Sequence, residues 1–276
     1  MESWQRHGHL AAPQQRHPCS RALLTTFLAG VLAAVVLGPV PPLQAALQRG
    51  GPGAEVLIGA DDDNLDNSIV HPPGTAADQS LSNTDVLDGG FGNDIIIGLL
   101  GSDVLHGNFG HDILIGGTEQ GAKPNSDIIY GDAGNDVNIW APGDGSDAFL
   151  GGPGFDAMVF GVIDRDADNV PTLTAPVEGF PHGVPTANVS GSPGFCTIER
   201  VEDPAFGYQY LARFFVRSSG ALAVTIRLAQ VEQVFCTSQE GGQITYADLT
   251  QADPQFVVVS SEQVQQLNPI VALIIR

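Results

Sequence analysis

The stretch Gly89-Gly-Phe-Gly-Asn-Asp94-Ile-Ile-Ile97, Gly98-Leu-Leu-Gly-Ser-Asp103-Val-Leu-His106, Gly107-Asn-Phe-Gly-His-Asp112-Ile-Leu-Ile115 is three uninterrupted copies of one nine-residue unit. Glycine opens each copy and recurs at its fourth position, aspartate holds the sixth, and the last three residues are mostly apolar. A fixed short period marks a stacked repeat, in which each unit buries its apolar side chains against its neighbours because it cannot do so alone.

The pattern continues on both sides. Residues 131–139 (GDAGNDVNI) and 151–159 (GGPGFDAMV) repeat it, and 142–150 (PGDGSDAFL) fits after an insertion at Trp140-Ala141. Residues 116–130 read as one unit with an enlarged loop, closing on Asp127-Ile-Ile-Tyr130. Upstream, residues 50–58, 59–67 and 80–88 are degenerate copies with Glu55, Asn64 and Asp85 at the acidic position. Glycine permits the left-handed backbone of a tight turn. Aspartate supplies the hard anionic oxygen that Ca²⁺ prefers. The three residues after it form a short strand whose middle side chain points opposite to its neighbours. Those middle positions are Leu57, Asp66, Leu87, Ile96, Leu105, Leu114, Ile129, Asn138, Phe149 and Met158, and all but Asp66 and Asn138 are apolar, as a buried column requires. A glycine-rich linker would not keep apolar residues in phase.

These motifs resemble the RTX, or haemolysin-type, calcium-binding repeat of secreted bacterial proteins across residues 50–159. The resemblance implies an all-β fold, a right-handed parallel β-roll of nonapeptide repeats with two units per turn and calcium between the loops of alternate units. Asp94 is then expected to pair with Asp112, Asp112 with Asp136 and Asp136 with Asp156, while Asp85, Asp103, Asp127 and Asp147 form the series on the other edge. It implies further that loop carbonyls, at Gly90, Gly92, Gly107, Gly110, Gly131, Gly134, Gly152 and Gly154, complete the metal shells. Several Ca²⁺ ions are thus the expected cofactors and partners. Glu55, Asn64 and the long insertion after Asn67 make the first turns the weakest candidates.

The 276-residue chain carries 31 acidic against 11 basic residues, a net charge of −20, and a single lysine, Lys123. That balance argues against nucleic acid, which needs a cationic face, while 43 % apolar residues is too many for an acidic disordered chain. Arg6, Arg16 and Arg21 precede an apolar run at 23–38, shorter than the roughly 20 residues of a spanning helix. With small residues following, 1–45 are expected to be a signal peptide cleaved after Ala45, leaving no integral membrane segment. The expected location is secreted or extracellular, with the periplasm or cell surface as variants. Cys19 leaves with that leader, and Cys196 and Cys236 become an even pair expected to form a disulfide.

The expected domains are therefore 1–45 signal peptide, 46–161 repeats, 162–194 a Pro- and Gly-rich linker or wrapping segment, and 195–276 a small β-rich domain. In the last, strands are expected at 208–217 and 221–235 around the turn Ser218-Ser-Gly220, then at 244–249 and 255–259, with a helical turn at 261–267. One outer face of the roll, Ile95/Ile97, Ile113/Ile115, Val137/Ile139 and Ala157/Val159, is apolar throughout. An apolar patch of that size calls for a cover, expected from residues 195–276 or from a second copy in a homodimer.

No GxSxG, HExxH, paired CxxC or P-loop motif occurs. His106 and His111 are expected to face solvent, 61–63 (DDD) to be a solvated loop, and Asp132 and Asp144 to be variable loop residues. The expectation is a non-enzymatic, exported calcium-binding scaffold for surface association or adhesion, with a cell-surface partner. The second reading is an accessory module of a carbohydrate-active or other secreted enzyme.

Overall fold

The structure, a computed structural model, describes residues 47–59, 85–117, 126–167, 170–201 and 207–276. Strands β1 (Leu47–Arg49), β2 (Val56–Ile58), β3 (Val86–Phe91), β4 (Ile95–Ile97), β5 (Val104–Phe109), β6 (Ile113–Ile115), β7 (Ile128–Tyr130), β8 (Val137–Trp140), β9 (Ala148–Leu150) and β10 (Ala157–Phe160) alternate between two sheets. Odd-numbered strands stack in parallel in one sheet and even-numbered strands in the other, so Ile96 lies beside Leu114 and Leu105 beside Ile129. Each unit is one loop and one short strand, and two units return the chain over its starting point. This is the parallel β-roll that the period predicts. Leu87, Ile96, Leu105, Leu114, Ile129, Phe149 and Met158 are fully buried between the sheets.

The first turns differ from expectation. β1 pairs directly with β3 and β2 with β4, with no strand between them. The copy expected at 59–67, with Asn64 and Asp66, lies outside the described residues, as do the leader and the carboxylates at 61–63.

The roll continues into the region read as a separate domain. The strand expected at 221–235 is two strands, β15 (Leu222–Ala229) and β16 (Gln233–Thr237), which sit in different sheets. The break falls at Gln230, whose φ of 51° turns the chain. β15 lies parallel on β9, with Leu228 beside Phe149, and β16 lies parallel on β10, with Val234 beside Met158. Beyond them the sheets become antiparallel, through β13 (Gly194–Arg200) and β14 (Tyr210–Val216) in the odd sheet and β17 (Ile244–Asp248) and β18 (Val257–Val259) in the even one. The unpaired backbone edges of β9 and β10 are thereby satisfied within the chain, and residues 195–276 share both sheets and the interior core with the repeats. Cys196 on β13 and Cys236 on β16 form the expected disulfide, Cα atoms 6.1 Å apart, which bolts one sheet to the other.

The apolar outer face of the even sheet is covered from within the chain, and not by residues 195–276 alone. Ile95, Ile113, Val137 and Val159 cluster with Ile163, Phe180, Val184, Ala187 and Val189 from the segment read as linker. Val264 of helix α1 (Ser261–Leu267) and Val271 and Ile274 of helix α2 (Pro269–Ile274) complete the cover. Among the described residues of 162–193 only β11 (Val162–Ile163) and β12 (Ala187–Asn188) are strands, and single bridges such as Leu173 to Pro185 hold the rest. A segment pinned at isolated points has no period-2 pattern to betray it. The expected helical turn is α1, whose Ser260 and Gln263 form a reciprocal capping box. The odd sheet keeps its outer face open, with Ile128 40 % exposed.

Asn138 is the polar intruder in the interior column. It is buried between Leu114 and Met158, and neither amide atom has a hydrogen-bond partner. A buried unsatisfied amide costs roughly 1–3 kcal/mol. Asn138→Val, which suits a strand and leaves no polar atom, should raise unfolding free energy by about 1–3 kcal/mol in urea titrations. A loss of stability would show that the amide is satisfied in solution.

Candidate metal centre

The loops between strands set the site. From Gly89 onward the second position of each unit is left-handed whatever residue occupies it, as at Gly90 with φ 95°, Leu99 with 71°, Asn108 with 69°, Asp132 with 65° and Gly152 with 103°. At the fourth position Gly92, Gly110, Gly134 and Gly154 stack so closely that a Cβ on any of the last three would strike the carbonyl of the loop glycine one turn back. At the first position the missing Cβ leaves a cradle. A Cβ on Gly131 would lie 2.6 Å from the Gly151 carbonyl oxygen and 2.7 Å from Asp136 Oδ2; on Gly89 it would lie 2.8 Å from the Gly107 oxygen and 2.6 Å from Asp94 Oδ2. Gly107 forms the same cradle with Gly131 and Asp112. The glycines thus hold carboxylate and carbonyl oxygens together.

The aspartates form two ladders with the expected pairing. The backbone N–H of Asp94 donates to Asp112 Oδ1, that of Asp112 to Asp136 Oδ1 and that of Asp136 to Asp156 Oδ1, each at 2.8 Å. On the other edge Asp85 donates to Asp103 at 2.8 Å, Asp103 to Asp127 at 2.8 Å and Asp127 to Asp147 at 3.0 Å. All eight aspartates are buried. Oδ2 of Asp94, Asp112, Asp136 and Asp156 is buried with no hydrogen-bond partner.

Electrostatics make this arrangement costly without a counter-charge. Stacked strands are about 5 Å apart, and two carboxylates at that spacing repel by about 3 kcal/mol at an effective dielectric of ~20. A charge-assisted hydrogen bond contributes only roughly 1.5–3 kcal/mol, so the N–H contacts at best offset repulsion and leave desolvation unanswered. Accordingly, burial pushes the Asp94 carboxyl up to about 6, Asp112 and Asp156 to about 7 and Asp136 to about 9. The donated N–H opposes the rise in each case, and a neighbouring carboxylate adds to it. Asp147 is raised by burial to about 7, and Asp127 well above its ordinary range by burial and by Asp147. Hard, buried, unpartnered anionic oxygens beside carbonyls fit Ca²⁺. Among the described residues no three His, Cys, Asp or Glu side chains form a metal-binding group; two carboxylates and backbone carbonyls are the donor set on offer.

Comparison with known families agrees. Residues 82–118 and 125–137 match the RTX calcium-binding nonapeptide repeat, in four copies. This segment is an RTX calcium-binding β-roll module. The match ends at residue 137, whereas the aspartate ladders run on through Asp147 and Asp156, so the RTX geometry is longer than the matched motif. No curated protein matches the chain significantly.

Two features escaped sequence reasoning. The fifth position carries its own ladder: His111 N–H donates to Asn93 Oδ1, Asn135 N–H to His111 Nδ1 and Phe155 N–H to Asn135 Oδ1, at 2.9, 2.9 and 3.0 Å. The run of side-chain acceptors Asn93, His111 and Asn135 was its signal. The second is Glu232, whose Oε2 accepts the Asp156 N–H at 2.8 Å. His106 faces outward, stacked on Tyr130 and 3.0 Å from Asp132.

Carboxyls whose folded pKa is raised stabilise the fold fully below their unfolded value near 3.8, and that stability is lost as pH rises through the folded values of about 6 to 9. Calcium-free protein should therefore melt at progressively lower temperature between pH 5 and pH 9 in scanning calorimetry. Saturating calcium should flatten that slope, because the cation takes over from the proton.

Proposed function

We propose that this chain is an exported, non-enzymatic scaffold whose RTX roll becomes fully stable on binding several calcium ions, and whose rigid surface serves association or adhesion outside the cell. The carrying observation is the row of buried Oδ2 atoms, at Asp94, Asp112, Asp136 and Asp156, with no protein partner. Export is supported by the Cys196–Cys236 disulfide, which persists in oxidising compartments. No helix among the described residues is long and apolar enough to cross a membrane. The enzyme-module reading has less to stand on. A cleft of about 590 Å³ in the C-terminal half is lined by Ser190, Gln243, Ser260, Ser261, Gln263 and Arg276 among others, and no carboxylate, histidine or thiol is in its lining.

Extracellular calcium modules bind with Kd of ~10⁻⁴–10⁻³ M. Titrating calcium-free protein at pH 7.5 should raise its melting temperature and β-type circular dichroism over that range. An unchanged spectrum and melting point in chelator would overturn the scaffold reading.

Asp112 stands between two loops of its column, so Asp112→Ala should remove about two ions by calorimetric stoichiometry. Glu55 sits at the N-terminal end, its Oε2 engaged by the Gly51 N–H at 3.0 Å, and Glu55→Ala should remove one at most.

A further inference from the structure

The aspartate column does not stop at Asp156. Glu232 belongs to the link Gln230-Val231-Glu232 between β15 and β16, outside every nonapeptide unit. Its Oε2 nevertheless accepts the Asp156 N–H at 2.8 Å, the contact that Asp156 Oδ1 makes with the Asp136 N–H. The backbone copies the repeat as well. Gly151 N–H donates to Ala229 at 2.9 Å, as Gly131 N–H donates to Leu150 at 2.9 Å. A Cβ on Gly151 would strike the Gln230 carbonyl and lie 2.5 Å from Asp156 Oδ2, the same cradle that Gly131 forms with Gly151 and Asp136. Asp156 is fully buried and its Oδ2 has no partner, so an anionic oxygen points into the space between the last nonapeptide and the C-terminal link. The other column ends differently. Next to Asp147 the chain runs as the continuous strand β15, which carries no acidic residue, and Arg227 N–H meets the Asp147 carbonyl at 2.9 Å.

We propose that Glu232 is the terminal cation ligand of the Asp94–Asp156 column. A calcium ion held there by Asp156, Glu232 and loop carbonyls clamps β16, and the antiparallel strands hung on it, to the roll. The proposal rests on the calcium-binding reading above and extends it to a residue that no repeat motif contains. A cap on the Asp156 N–H would need only an oxygen acceptor, which glutamine also provides. A hard divalent cation needs the charge.

The test compares full-chain wild type with Glu232→Gln, by calcium titration calorimetry and by hydrogen exchange with and without calcium. The variant should bind one ion fewer with the remaining affinities unchanged. It should also lose the calcium-induced slowing of exchange at Asp156 and in β16, while β4 and β6 keep theirs. Unchanged stoichiometry and protection in the variant would reduce Glu232 to a backbone cap and overturn the proposal. Wild type alone gives a second readout that does not depend on how the variant folds: calcium that slows exchange at Asp112 but not at Asp156 or in β16 also overturns it. Wild type that binds no calcium would sink the underlying reading as well, so the two failures are told apart.

Discussion

Six aspartates of the roll, from Asp103 to Asp156, each offer one carboxylate oxygen to the backbone N–H of the aspartate one turn before. That contact fixes the spacing of the turns and draws the carboxylate out of water, and the remainder of the structure answers the difficulty it creates. Rows of buried like charges require neutralisation, and the second oxygen of Asp112 or Asp136 is left without a hydrogen bond to meet that need. Loops must approach closely enough for carbonyls to share the space, so a side chain at Gly110 or Gly134 would collide with the preceding turn. The net charge of −20 is in keeping with the proposed recruitment of cations, for which the chain itself supplies the anions.

A stack of parallel turns also has ends and faces, and the C-terminal half of the chain closes them. β15 and β16 supply a last parallel turn, after which both sheets finish in antiparallel strands. The Ile95–Ile113–Val137 face is sealed by a coil threaded with Phe180 and Val184 and by two short helices. Repeat arrays are stabilised chiefly by contacts between neighbouring units, so terminal turns without such cover would fray. The non-repetitive residues are best understood as the lid and wall of the repetitive ones.

What could be read in advance tracks what is periodic. The interior column, the two aspartate series and the alternation of strands between sheets all follow from a nine-residue spacing, and the structure has them. At the first turns strand pairing links β2 directly to β4, while the degenerate copy read at 59–67 lies outside the described residues. The run at 221–235 has the apolar content of one long strand, and only the left-handed Gln230 reveals that it serves two sheets. Glu232 was invisible for a related reason. Its position is set by three-dimensional stacking on Asp156, and the link that carries it lacks the glycine loop by which the motif is recognised. The cover from 163–189 follows no period at all, being shaped by the surface it lies on.

The Cys196–Cys236 bond ties β13 of one sheet to β16 of the other, beyond the last nonapeptide. The structure is therefore held covalently at one end, while the buried Oδ2 atoms that the proposed cations would neutralise run along its length. On the proposed calcium-binding function, withdrawing the ions would leave the two walls joined at the bonded end, so peeling would start from the opposite one, near β1 and β2, and travel towards the staple. Restoring them would reverse the direction: each returning turn would lay its strands on an edge already in place, with partners only 18 to 24 residues away in the chain. Loops that short close at little entropic cost. The molecule thus has a built-in polarity of assembly, like a zip whose slider can leave from one end only.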